Sequence, residues 1–113
     1  MWTLRALLLV VVLAGCAEDT LGPDIGGRCQ SNSECSQRCL PHNDYPGGFC
    51  TLACDDDRGC TRGAICMARE GGVCLFPCAA EAECAFLGQG WVCEVLSSKT
   101  GEPRQRGVCI GRP

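Results

Sequence analysis

Twelve cysteines from Cys29 to Cys109 repeat one spacing three times, and nothing else in this chain restricts its fold as strongly. Cys29, Cys35, Cys39 and Cys50 form one set, Cys54, Cys60, Cys66 and Cys74 a second, and Cys78, Cys84, Cys93 and Cys109 a third. Five residues separate the first and second cysteine of every set. Three residues join each set to the next, as Thr51-Leu52-Ala53 and Leu75-Phe76-Pro77. A glycine stands two places before each fourth cysteine, at Gly48, Gly72 and Gly107. The interval between third and fourth cysteine varies most, which is where a loop tip tolerates insertion and a framework does not.

Composition explains why so much sulfur is needed. The hydrophobic fraction of 46% counts all thirteen cysteines and an apolar N-terminal run, and beyond that run the large aliphatic residues are scattered singly. Ordering each residue costs about 1 to 2 kcal/mol of backbone entropy, which so few apolar side chains cannot offset in a domain this small. Covalent cross-links supply the difference. Each closed loop stabilises by roughly 2 to 4 kcal/mol, mainly by restricting the unfolded chain.

Strand-compatible residues flank the third and fourth cysteines, with turn chemistry between them. Ile65-Cys66-Met67, the Glu70-Gly71-Gly72 turn and Val73-Cys74-Leu75 predict a short hairpin. Trp91 to Leu96 and Gly107 to Ile110 predict a longer one with its tip at Ser97 to Pro103, and Pro41 to Gly47 forms the equivalent loop of the first set. Helix is limited to one or two turns within Ala79 to Ala85. Isolated hairpins are marginal in water, so the first two cysteines of each set must staple an upstream loop onto the hairpin. The expected fold is therefore small and disulfide-rich: three tandem four-cysteine repeats, about 29–53, 54–77 and 78–113, each a short β-hairpin stapled to a loop. Four cysteines permit three pairings, and the sequence alone does not choose among them. Bonding first to third and second to fourth is preferred, because crossed bonds lock both strands to the upstream loop.

The thirteenth cysteine stands apart. Arg5 and the amino group precede an apolar run from Ala6 to Leu13, followed by Ala14-Gly15-Cys16. The run is about half the roughly 20 residues needed to cross a bilayer, so residues 1–15 read as a signal peptide. Diverting Cys16 from disulfide chemistry leaves an even number of cysteines, which can pair completely. Leu13-Ala14-Gly15-Cys16 resembles the lipobox of bacterial lipoproteins. That resemblance implies cleavage before Cys16, diacylglyceryl attachment to its sulfur and acylation of the new amino group, and Ala17 resembles the sorting residue of outer-membrane lipoproteins. Two or three acyl chains, at about 0.8 kcal/mol per buried methylene, make a durable anchor. Together with the repeats, the chain resembles the Cys-rich repeat lipoproteins of Gram-negative bacteria and, in architecture, Dickkopf-type and EB-type disulfide modules. Residues 16–26, with Pro23 and the Gly26-Gly27 pair, are expected to be a flexible tether to a domain at 27–113.

Several activities find little support. Removing residues 1–15 deletes Arg5 alone, leaving nine basic against thirteen acidic side chains, so no basic patch for nucleic acid is expected. The pairs Cys35/Cys39, Cys50/Cys54 and Cys74/Cys78 have the three-residue spacing of zinc ligands, but an oxidising compartment favours disulfides. Asp55-Asp56-Asp57 with Gly59 suggests a calcium loop whose closing carboxylate would fall on Cys66, so a solvated turn is the better reading. No cofactor or metal is expected. His42 is the one histidine and lacks a nucleophile setting, Glu81 and Glu83 have nothing to separate their pKa values, and Cys-x-x-Cys does not occur. The expected role is non-catalytic: a membrane-anchored interaction or structural module that presents Tyr45, Phe49, Phe76, Phe86 and Trp91 to a protein or glycan, with core packing the stronger reading for Phe49, Phe76 and Trp91. The alternative is a stapled inhibitor or toxin-like ligand that acts on a protease through Pro41 to Gly47 or Ser97 to Arg106.

Overall fold

The computed structural model describes residues 21–100 and 103–112, and Cys16 lies outside them. Three antiparallel hairpins follow one another: β1 (Arg38–Leu40) with β2 (Phe49–Thr51), β3 (Ile65–Met67) with β4 (Val73–Leu75), and β5 (Trp91–Ser97) with β6 (Gln105–Gly111). In each, the third cysteine of the set sits directly opposite the fourth: Cys39 faces Cys50, Cys66 faces Cys74, Cys93 faces Cys109. These facing residues do not bond one another. The bridges are Cys29–Cys39, Cys35–Cys50, Cys54–Cys66, Cys60–Cys74, Cys78–Cys93 and Cys84–Cys109. The crossed pattern holds in all three units, tying both strands of every hairpin to its upstream loop.

That loop carries a short 3-10 helix in each unit, Asn32–Glu34, Asp57–Gly59 and Glu81–Leu87. Five residues between two bridged cysteines leave room for one tight turn and not for an α-helix. Carboxylates close the turns: Glu34 Oε1 accepts from the Gln30 and Ser31 N–H groups, and Glu83 Oε1 accepts from those of Ala79 and Ala80. In the second unit Asp56 Oδ1 accepts from Arg58 N–H at 2.9 Å. The helix expected over Ala79 to Ala85 is thus a 3-10 helix shifted two residues onward, begun where Glu83 satisfies the free amides ahead of it.

The invariant spacer has a structural cause. The N–H of each fourth cysteine donates to the carbonyl two residues before the first cysteine of its own set: Cys50 to Gly27, Cys74 to Leu52 and Cys109 to Phe76. In the second and third units the first cysteine's N–H returns the bond to the recurring glycine, Cys54 to Gly72 at 3.2 Å and Cys78 to Gly107 at 2.9 Å. Each spacer therefore pairs with the next hairpin through an isolated antiparallel bridge, Ala53 with Val73 and Pro77 with Val108. A side chain on Gly48, Gly72 or Gly107 would strike the carbonyl oxygen of Cys29, Cys54 or Cys78. The glycine recurs because two backbones meet there.

The units fold around one shared core. Phe49 and Trp91, from the first and third units, lie 5.5 Å apart, Tyr45 stacks on Phe49 at 6.1 Å, and Phe76 of the spacer meets Phe49 edge-on at 5.9 Å. Ile25, Leu40, Met67, Val73, Leu75, Val108 and Ile110 fill in around these rings. The first and third units also share the hydrogen bond from Gly111 N–H to Asp44 O, and the second and third those from Ala68 to Ser97 and from Lys99 to Cys66.

Two expectations are corrected here. Residues 21–26 are not tether: Ile25 is fully buried, Gly26 N–H donates to Cys50 O, and Asp24 pairs with Arg62 at 2.8 Å. A β-branched apolar residue behind a Pro-Asp turn finds core to bury in, so the folded body begins by Leu21. Tyr45 is not displayed to solvent either: it is fully buried. Phe49, Phe76 and Trp91 lie in the core, as the stronger reading of the sequence had it, and of these five aromatics only Phe86 remains exposed, at 44%.

Candidate functional site

The sulfurs are the most concentrated chemistry in the molecule. Crossing the two bridges of a unit stacks them, so the Sγ atoms of Cys29, Cys35 and Cys39 lie within 4.8 Å of one another, as do those of Cys54, Cys60 and Cys74 and of Cys78, Cys84 and Cys109. A metal or a nucleophilic reaction requires thiolate. These sulfurs are bonded to each other instead. The pairs with zinc-like spacing are divided among different bridges, Cys35 joining Cys50 while Cys39 joins Cys29.

The three-aspartate run is taken up by the fold. Asp57 Oδ1 accepts from Cys66 N–H at 2.9 Å and its other oxygen pairs with Arg106 across the boundary between second and third units. The Arg106 bond, then the Cys66 amide, hold the Asp57 carboxyl below the ordinary aspartate range. The Arg58 side-chain bond lowers Asp56 in the same way. Asn32 repeats the Asp57 role in the first unit, its Oδ1 accepting from Cys39 N–H at 2.9 Å. An Asn or Asp three residues after the first cysteine is thus a tie to the third, and the matched positions of Asn32 and Asp57 are the signal that sequence reading passed over. In the third unit Glu81 occupies that place and pairs outward with Arg112 at 3.2 Å.

His42 lines an open cleft of about 770 Å³ with Gln30, Ser31, Asn32, Pro41 and the Cys29–Cys39 bridge. It is exposed and forms no hydrogen bond among the described residues. No carboxylate lines the cleft beside it. Glu81 and Glu83 are each engaged at the separate partners given above, Arg112 and the Ala79–Ala80 amides, so the structure does not bring His42 and the two glutamates into one site.

The two loops considered for a protease-binding role are both tied down. In the first, Asp44 pairs with Arg69 at 3.3 Å, the Tyr45 hydroxyl accepts from Arg69 Nε at 3.2 Å, and the Tyr45 ring is fully buried. Burial raises the Tyr45 hydroxyl above the usual tyrosine range despite the nearby guanidinium. In the second loop, Ser98 N–H closes on Arg104 O at 2.7 Å, Lys99 Nζ reaches Gly71 O at 3.2 Å and Arg106 holds Asp57. Asp44 and Tyr45 of the first loop and Lys99 and Arg106 of the second thus hold partners in other units. Among the described residues the large apolar side chains left in solvent are Phe86 and Val95. No helix among the described residues is long and apolar enough to cross a membrane. No family model, curated protein or solved structure matches the chain.

Proposed function

We propose that this protein is a lipid-anchored lipoprotein of the bacterial cell envelope, held in the outer membrane through Cys16, whose twelve-cysteine domain is a non-catalytic structural or interaction module. One observation carries the reading: six bridges use every cysteine from Cys29 to Cys109, which leaves Cys16, behind its apolar run, as the thirteenth. An unpaired thiol in an oxidising compartment is a liability, and thioether linkage to lipid removes it. The domain's polar groups are spent on turns and on ties between units, an arrangement that suits a rigid module better than a reaction centre. Its binding partner is a protein or glycan of the envelope.

Intact mass of the membrane-extracted protein, before and after reduction and alkylation, tests this directly. The expected chain starts at Cys16, carries diacylglycerol with or without an amide-linked acyl chain, and takes up alkyl groups on twelve cysteines only after reduction. A chain that retains residues 1–15, or a free Cys16 thiol, would refute it.

A further inference from the structure

We infer that the face carrying Phe86 rests on the lipid bilayer, so that the domain is held down on the membrane and not lifted clear of it. The inference depends on the reading of Cys16 as the lipid-bearing residue. Because the folded body begins by Leu21, only five residue steps separate its edge from Cys16, a reach of at most about 18 Å. The position of Leu21 fixes which face is turned down. Leu21 Cδ2 and Phe76 Cε2 lie 2.5 and 2.9 Å from where a Gly26 side chain would begin, so Leu21 and Phe76 close over the same glycine. Phe76 in turn meets Phe86 edge-on at 5.3 Å. The half-buried Leu21 and the exposed Phe86 therefore both pack against the buried Phe76, which places the exposed ring close to the point where the described chain begins.

The chemistry of this face fits a membrane interface. Every other aromatic ring among the described residues is buried, so the exposure of Phe86 at 44% is an exception within this fold. Phe side chains on interfacial segments bury at the boundary between head groups and acyl chains, which the short reach from Cys16 brings to this ring. Arg28, exposed, extends toward the same end: its Nη2 lies 3.0 Å from where a side chain on Gly88, two residues past Phe86, would begin. A cation there suits lipid phosphates. The acids of the same 3-10 helix are engaged within the protein, Glu83 on the Ala79 and Ala80 amides and Glu81 on Arg112.

The test uses the full chain, processed in its host, extracted and reconstituted into phosphatidylethanolamine–phosphatidylglycerol vesicles. Amide hydrogen exchange across Ala85 to Gly88 is expected to slow several-fold relative to a Cys16→Ser protein in solution, and to recover when six Gly/Ser residues are inserted between Thr20 and Leu21. As a second readout, Phe86→Trp with Trp91→Phe places a single indole on this face, and lipids brominated near the head group should quench it at least twofold. Equal exchange and no quenching, with lipid on Cys16 verified by mass, would overturn the inference and leave the anchor intact. A protein without lipid overturns both. A Cys16→Ser domain that dimerises, and reverts to monomer on Phe86→Glu, would assign the face to a second copy and refute the bilayer as its occupant.

Discussion

Thr51 is the one fully buried polar side chain among the described residues, and it joins two units. Its hydroxyl donates to Cys74 O at 2.7 Å and accepts from Cys74 N–H at 3.0 Å, which completes a backbone contact that Leu52 O serves less closely, at 3.2 Å. Thr51→Val keeps the shape and removes both bonds. Cys74 N–H keeps Leu52 O, but leaving the buried Cys74 carbonyl unsatisfied costs about 1 to 3 kcal/mol, so thermal melts of the oxidised domain should show that loss, with Thr51→Ser much closer to the parent. Gly72 and Gly63 separate two effects in the same way. Both have positive φ, +113° and +77°, but a side chain on Gly63 meets nothing within 4 Å while one on Gly72 meets the Cys54 carbonyl. Gly72→Ala should destabilise clearly more than Gly63→Ala, whose cost is the left-handed backbone alone, about 1 kcal/mol. At Asp24, burial acts to raise the carboxyl, but hydrogen bonds from Thr61 and Arg62 outweigh it and bring the pKa from 3.8 to about 2. The folded value lies below the unfolded one, so the stabilisation is complete above about pH 4 and disappears as the pH falls toward 2. Unfolding measured across that range should show the parent converging on Asp24→Asn as acid is added.

At the scale of elements, the bridges differ mainly in the chain they enclose. Cys29–Cys39 spans 10 residues and Cys84–Cys109 spans 25. On loop entropy alone the longer bridge is worth about 0.8 kcal/mol more, so replacing Cys84 and Cys109 by alanine should lower the denaturation midpoint further than replacing Cys29 and Cys39. The hairpins were well marked in the sequence: the expected strands Ile65 to Met67 and Val73 to Leu75 are the observed β3 and β4, because two short apolar runs joined by a Glu-Gly-Gly turn leave little choice. Trp91 to Leu96 fell one residue short and Gly107 to Ile110 fell short at both ends, since the β5–β6 pairing runs from Trp91 opposite Gly111 into polar positions as far as Ser97 opposite Gln105. The 3-10 helices of the first two units left a fainter trace. Their carboxylate caps act over two to four residues, and hydrophobic periodicity carries no signal at that length.

For the molecule as a whole, the decisive feature is that three units share one core. Trp91 is the only tryptophan once residues 1–15 are removed, and it is buried against the first unit's Tyr45 and Phe49. Full reduction should therefore shift its emission to the red and abolish near-ultraviolet circular dichroism in one transition spanning all units; unchanged spectra after complete reduction would contradict a fold held by its bridges. The same packing draws Asp44 and Tyr45 of the loop from Pro41 to Gly47 into the contact between first and third units, while Pro41, His42 and Asn43 stay exposed.

The sequence by itself determined the units. Covalent spacing is a local, one-dimensional property, and intervals of five and three residues with a glycine before every fourth cysteine admit few ways of stapling a hairpin to its loop. How the units meet was decided only in three dimensions. Tyr45 lies in a loop tip that reads as displayed, and Ile25 in a Pro- and Gly-containing stretch that reads as a linker; both are buried, because of surface contributed by units distant in sequence, which no local pattern encodes.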